Sequence, residues 1–234
     1  MELAAVADEA ERVNLIAPVG VRVNPNISAE SHPYISTGLH GHKFGVPRER
    51  AVSILRAAAA HPHLHPVGLA AHIGSQITDL APFGQAVAFL VTLADGMKVE
   101  GIELAYIDAG GGLGIDDQGS APGVADWIRT VGRQIGDAGY GLVVEPGRSI
   151  VGRAGALLTR VVYVKEQGQK RFIIADAGMT DLIRPTLYQA YHPILTVAEP
   201  TGAPETVDIV GPICETSDFL ARERPLPPAG RGDL

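Results

Sequence analysis

Four short segments place polar residues and glycines directly after apolar runs: Asn24-Pro25-Asn26, His72-Ile73-Gly74-Ser75, Asp108-Ala109-Gly110-Gly111-Gly112 and Glu145-Pro146-Gly147-Arg148. Glu145 and Arg148 stand three residues apart, with a proline and a glycine fixing the backbone between them. A carboxylate in that position can keep the ring nitrogen of a bound cofactor protonated, which makes the ring an electron sink. A lone Glu/Arg pair at a turn is more commonly a surface ion pair. The run Gly110-Gly111-Gly112-Leu113-Gly114 allows backbone N–H groups to approach a phosphate closely, or simply supplies a tight turn. Its spacing is not that of a dinucleotide fingerprint, and no helical pattern starts immediately after it. His72 suits a ring-stacking role or an ordinary hydrogen-bonded one. Further on, Arg184 and Tyr188 lie one helical turn apart, a spacing suited to gripping a substrate carboxylate. The bland alternative is a helix start with Pro185 in its first turn. Cys214 and Glu215 follow Gly211-Pro212 on a turn beyond a strand, where a thiol is accessible. A sole cysteine is also often a small buried hydrophobe.

The elements that must position these residues change character along the chain. To about residue 150, short β-branched runs alternate with longer segments of helical periodicity, the pattern of parallel βαβ units. The strands expected are Val19–Asn24, Val67–Ile73, Leu104–Ala109 and Leu142–Glu145. The helices expected between and after them are Arg48–Ala60, Phe83–Lys98 and Val124–Ala138. In a parallel α/β fold all the carboxyl ends of the strands face one side and build the site. Four βα units do not close an eight-stranded barrel, and an open half barrel leaves apolar strand faces in water at about 25 cal/mol per Å². The sheet is therefore either open and doubly wound or part of a larger barrel. Beyond residue 150, strand-like runs at Ala156–Lys165, Arg171–Ala175 and Thr206–Val210 predict a second, mainly β domain, with the border near Ser149–Gly155.

Composition narrows the function classes. With 46% hydrophobic and 19% charged residues the chain is an ordinary globular protein rather than a disordered one. A net charge of -7 with dispersed basic residues argues against a nucleic-acid partner. The single cysteine excludes an internal disulfide framework and fits a reducing cytoplasm. No apolar run reaches membrane-spanning length. The acidic, helix-like start (Glu2, Asp8, Glu9, Glu11) is unlike a signal peptide, so a cytoplasmic location without membrane or metal partners is expected.

Taken in order, these motifs resemble diaminopimelate decarboxylases, pyridoxal-phosphate enzymes of the alanine-racemase-like fold. The resemblance runs nearly end to end and is carried by Val23-Asn24-Pro25-Asn26, His32-Pro33-Tyr34-Ile35-Ser36-Thr37-Gly38, Lys43-Phe44-Gly45, His72-Ile73-Gly74-Ser75-Gln76, the triple glycine, Glu145-Pro146-Gly147-Arg148, Arg184-Pro185 with Tyr188, and Gly211-Pro212-Ile213-Cys214-Glu215. It implies a partial (β/α)8 TIM-type barrel over residues 1–150, part of a C-terminal β domain over 151–234, and a homodimer with shared sites. By the same resemblance His72 stacks on pyridoxal 5'-phosphate, and Ser75, Gly112 and the backbone around Pro146, Gly147 and Arg148 bind its phosphate. Glu145 pairs with its ring nitrogen. Arg148, Arg184 and Tyr188 contact the substrate, Cys214 returns a proton to the carbanion, and Glu215 reads the far ammonium of meso-diaminopimelate. Ornithine decarboxylases typically carry aspartate after the cysteine, so Glu215 and the His32–Gly38 segment favour diaminopimelate, with lysine as product. The family's cofactor-bonding lysine sits in a Tyr-Ala-x-Lys-Ala-like context that none of Lys43, Lys98, Lys165 and Lys170 shares. The expectation is accordingly a portion of such an enzyme, inactive alone. A decarboxylase of another diamino acid such as ornithine or carboxynorspermidine, and a non-catalytic remnant, are the rival readings.

Overall fold

Four short strands build the first sheet. They are β1 (Ala17–Arg22), β2 (Leu64–Ala70), β3 (Tyr106–Asp108) and β4 (Gly141–Val143). All neighbours are parallel and the spatial order is β1-β2-β3-β4. A doubly wound sheet reverses its strand order at a switch point. Here order follows sequence throughout, the progression of a barrel wall, and the doubly wound alternative falls away.

Helices connect the strands on one side. After the N-terminal α1 (Glu2–Arg12), α2 (Arg48–Ala59) leads into β2, α3 (Ala81–Val99) joins β2 to β3 and α4 (Val124–Asp137) joins β3 to β4. Each inner stripe follows the helical repeat: Ala51, Leu55 and Ala58 in α2, Trp127, Val131 and Ile135 in α4. Ala51, Leu55 and the α4 stripe pack with Phe83, Leu90, Leu93 and Met97 of α3 on the helix-facing strand residues Val21, Leu69 and Ile107, while Ala58 packs with Ala7 and Leu64. An edge-on contact between the Phe83 and Trp127 rings, 5.7 Å apart, joins α3 to α4.

The opposite sheet face carries a different row. Gly20, Gly68, Tyr106 and Gly141 are in register across the four strands. A Cβ on Gly68 would lie 2.4 Å from the Tyr106 ring, and one on Gly20 would lie 2.9 Å from its hydroxyl. One large ring thus covers its glycine neighbours. Because side chains alternate, the next row on this face, one step nearer the strand ends, is Arg22, Ala70, Asp108 and Val143.

The structure is a computed structural model that describes residues 2–27, 43–116, 119 and 121–234, so the His32–Gly38 motif lies outside the described residues. The chain forms two compact units, Met1–Gly155 and Ala156–Leu234. In the second, β5 (Val161–Gln167), β6 (Lys170–Ala175), β7 (Glu205–Val210) and β8 (Phe219–Leu226) form one mixed sheet in that order. The β5–β6 and β7–β8 pairs are antiparallel, and β6–β7 is parallel. Its core is Ile173, Ala175, Val207, Ile209, Leu220, Ala221 and Leu226.

Several strand limits differ from the sequence expectation. β5 begins at Val161 rather than Ala156, because Asp176 accepts hydrogen bonds from the Thr159 hydroxyl (2.7 Å) and the Arg160 N–H (2.8 Å) and so holds the approach to the strand. β1 and β2 end two and three residues early, at Arg22 and Ala70. Their expected last residues, Asn24 and Ile73, belong to the loops at the mouth. Two short helices follow motif residues: α5 (Arg148–Val151) directly after Gly147, and α6 (Arg184–Tyr188), which contains both Arg184 and Tyr188.

Candidate cofactor and substrate site

Parallel order puts the segments after β1 to β4 at one end of the sheet. There the three glycines let separate loops touch. A Cβ on Gly110 would stand 2.3 Å from the Ala71 carbonyl oxygen, on Gly111 2.0 Å from that of Glu145, and on Gly112 2.1 Å from that of Gly74. Gly110 and Gly112 also take left-handed φ values of 69° and 96°. The glycine run therefore gathers the β2 and β4 loops around the β3 end, whatever else it does. Backbone bonds complete the join: Glu145 N–H donates to Gly110 O (2.8 Å), Ile77 N–H to Gly112 O (3.0 Å) and Gly114 N–H to Ile77 O (2.8 Å).

This packing brings His72 and Glu145 together. His72 Nδ1 lies 3.5 Å from Glu145 Oε2 and 3.3 Å from the Gly111 backbone nitrogen, which donates to it. An imidazole nitrogen that accepts an N–H is unprotonated. Consistently, burial and then the positive charge of Arg22 hold the His72 pKa below its ordinary value, against the opposing pull of Glu145 and Asp108. The Glu145 side chain is half exposed at the mouth. Its Oε2 faces the His72 ring, with which it forms an ion pair only when the imidazole is protonated, and Arg148 donates to Gln76 Oε1 at 2.6 Å.

Three residues that sequence reading left without a role complete this end. Gln76, in a left-handed conformation (φ 61°), donates from Nε2 to the Ile115 carbonyl at 2.5 Å and accepts from Arg148, so one amide ties the glycine loop to the β4 loop. Its place beside Ser75 was the only available signal. Asp108 closes the turn into the glycines by accepting the Gly110 N–H at 2.8 Å. Arg22 lies on the Tyr106 side of the sheet, its guanidinium 5.0 Å from the Phe44 ring, and Lys43 Nζ lies 4.9 Å from the same ring. Alternation along β1 could have placed Arg22, once the strand limits were known.

The second unit holds the remaining candidates. β6 and β7 run parallel, so the segments that follow them leave the sheet at one end. The first carries Arg184 and Tyr188 on α6, and the second carries Cys214 and Glu215. Arg184 Nη1 lies 2.9 Å from His192 Nε2. The Thr186 hydroxyl donates to the Ser217 carbonyl at 2.6 Å, joining α6 to the Cys214 turn. Cys214 is exposed, so the buried-hydrophobe reading of this cysteine fails.

A family model described as the pyridoxal-binding domain of pyridoxal-dependent decarboxylases matches residues 1–152. The chain belongs to this family. Among curated relatives, the diaminopimelate decarboxylases of Neisseria meningitidis serogroup A and of Pseudomonas aeruginosa are each 46% identical over 234 residues. All of this chain is covered, against 57% and 56% of those proteins, so it spans about half the length of the curated relatives it matches. Among solved structures, Helicobacter pylori diaminopimelate decarboxylase complexed with L-lysine superposes with a TM-score of 0.94 at 38% identity, over 100% of this chain and 58% of that one. A lysine decarboxylase from Selenomonas ruminantium superposes with a TM-score of 0.80 at 26% identity, over 98% and 59%. The parallel unit thus matches the pyridoxal-binding domain of this family, and its strand order is that of part of a barrel wall.

Proposed function

We propose that this chain supplies the cofactor mouth and the substrate-reading loops of a pyridoxal-phosphate-dependent decarboxylase that converts meso-2,6-diaminopimelate to L-lysine and carbon dioxide. The observation that carries the reading is the His72–Glu145 pair, 3.5 Å apart, held against the triple glycine of a chain 46% identical to proteins of that name. When bound, the cofactor supplies a pyridinium ring that takes up the electron pair left as carbon dioxide departs. Glu145 keeps the ring nitrogen protonated as a neighbouring opposite charge should. His72, neutral, covers the ring. Ser75, Gly112 and the backbone around Pro146, Gly147 and Arg148 hold the phosphate. Two features fit that group. The half-buried Ser75 hydroxyl has no hydrogen-bond partner among the described residues, and a Cβ on Gly147 would meet nothing within 4 Å, which leaves its backbone open to approach.

On the substrate side, Arg148, Arg184 and Tyr188 bind carboxylate, the Cys214 thiol returns a proton to the reacting carbon, and Glu215 reads the distant ammonium. In this reading residues 1–150 form the cofactor-binding part and 151–234 the β part, the enzyme works in the cytoplasm as a homodimer, and Cys214 and Glu215 serve the partner's site. Among the described residues no helix is long and apolar enough to cross a membrane.

The test joins this sequence to the flanking segments of the Neisseria relative and measures carbon dioxide release with meso-diaminopimelate, ornithine and lysine. Turnover of diaminopimelate well above the other two is expected. Preference for ornithine or lysine would overturn the substrate, and a soluble, cofactor-binding hybrid without turnover would favour a remnant.

A further inference from the structure

The second unit buries a carboxylate that forms no ion pair among the described residues. Asp218 is 3% exposed. A buried carboxylate persists only where hydrogen-bond donors replace its water. Here both donors are backbone N–H groups from different loops: Met179 donates to Oδ1 at 2.6 Å and Ile213 to Oδ2 at 2.7 Å. The Asp218 main chain binds the same turn, accepting the Gly211 N–H at 3.1 Å and donating to the Glu215 carbonyl at 3.0 Å. Space for the carboxylate exists because both walls are glycine. A Cβ on Gly178 would lie 2.6 Å from Oδ1, and one on Gly211 would lie 2.5 Å from Oδ2. Two glycines and two directed N–H groups thus converge on one acid.

Their position gives the arrangement meaning. Met179 begins the segment that leads to α6, with Arg184 and Tyr188. Ile213 immediately precedes Cys214 and Glu215. Parallel β6 and β7 deliver these segments to one end of the sheet without fixing their mutual register, since residues 176–204 separate the two strands. We propose that Asp218 is a positioning residue, whose carboxylate locks the Cys214-Glu215 turn to the Met179–Tyr188 segment and presents the thiol and the guanidinium as one rigid set. Its catalytic meaning rests on Cys214 being the proton donor, whereas the lock itself does not.

The experiment is residue-resolved amide exchange on the full chain, with alkylation of Cys214, the sole cysteine, by a neutral reagent. Asp218→Asn keeps one acceptor and sets an NH2 against the other N–H. Exchange at Ile213 or Met179 is expected to speed up at least tenfold and Cys214 alkylation at least threefold, while Val207 and Ile209 in β7 keep their protection. Gly178→Ala, which displaces Oδ1 without removing charge, should give the same local pattern if the asparagine variant does not fold. Unchanged exchange and alkylation in both variants would overturn the proposal, as would loss of β7 protection in both, which would make Asp218 a residue of general stability. Normal turnover by Cys214→Ala in the joined enzyme would instead remove the proton-donor reading and leave these measurements unaffected.

Discussion

At the mouth of the parallel unit, the charge state of one imidazole is set by opposing neighbours. Burial and Arg22 favour neutral His72, and Glu145 favours the cation. Replacing Glu145 by glutamine removes the larger of two counterweights and leaves Asp108, so the His72 pKa should fall further. Arg22→Gln should raise it. Proton-detected histidine titration reads both, and an upward shift in Glu145→Gln would contradict the described pairing. The linkage has a definite sign. A histidine whose folded pKa is lowered binds fewer protons than the unfolded chain below about pH 6.5, so stability is lost as pH falls from there through the lowered value. Arg22→Gln should flatten that loss. Gln76 makes a separate prediction. Alanine there unties Arg148 from the glycine loop, and with about 1–3 kcal/mol at stake for a partner left unsatisfied, affinity for pyridoxal phosphate should drop roughly tenfold or more by fluorescence titration. The types of His72, Glu145 and Cys214 could be picked out in sequence because their chemistry is rare at strand ends. Gln76 and Asp218 could not be, because what matters is which groups they meet, and a decisive partner of each, the Ile115 carbonyl for Gln76 and the Met179 N–H for Asp218, arrives from 39 residues away.

Elements show the same division between what periodicity carries and what contacts decide. The three long connecting helices α2, α3 and α4 were legible to within two residues at each end, since a stripe such as Trp127, Val131 and Ile135 has a period that few other structures explain, whereas the four-residue α5 carries no such stripe. Strand runs were placed two to three residues late in β1 and β2, because Val23 and Ile73 are apolar and buried yet lie beyond the ladder. β8 went unread. Arg222, Glu223, Arg224 and Pro225 interrupt its apolar alternation, and the register is rescued by a bulge in which Glu223 takes φ 49° and donates its N–H to buried Asp208. The glycine loop gives the sharpest element-scale prediction. In Gly111→Ala the new methyl would stand 2.0 Å from the Glu145 carbonyl oxygen, backbone that cannot simply rotate away. The β4 loop must retreat, at a cost of about 1–3 kcal/mol, with loss of the His72–Glu145 contact. Urea unfolding and the His72 titration should report both changes together, and a variant of unaltered stability would show that the loops are not in contact.

Across the whole molecule, the change of texture read near residue 150 has a physical counterpart in where apolar side chains go. Val21, Leu55, Leu69, Leu90, Ile107 and Val131 form a core drawn only from the first unit, while Ile173, Val207, Ile209, Leu220 and Leu226 form one drawn only from the second. A cavity made in one core therefore removes contacts from that core alone. Leu90→Ala, at a fully buried position, and Ile209→Ala, at a position 4% exposed, should each cost about 2–5 kcal/mol. The loss should appear in different amides: the strands and helices of the first unit for Leu90→Ala, and β6 to β8 for Ile209→Ala. In the double variant the two losses should add, because the sites share no partner. Hydrogen exchange across the four chains decides the matter. If Leu90→Ala lowers protection throughout β6 to β8 to the same degree as in its own unit, the chain unfolds as one cooperative body and the two cores are not independent.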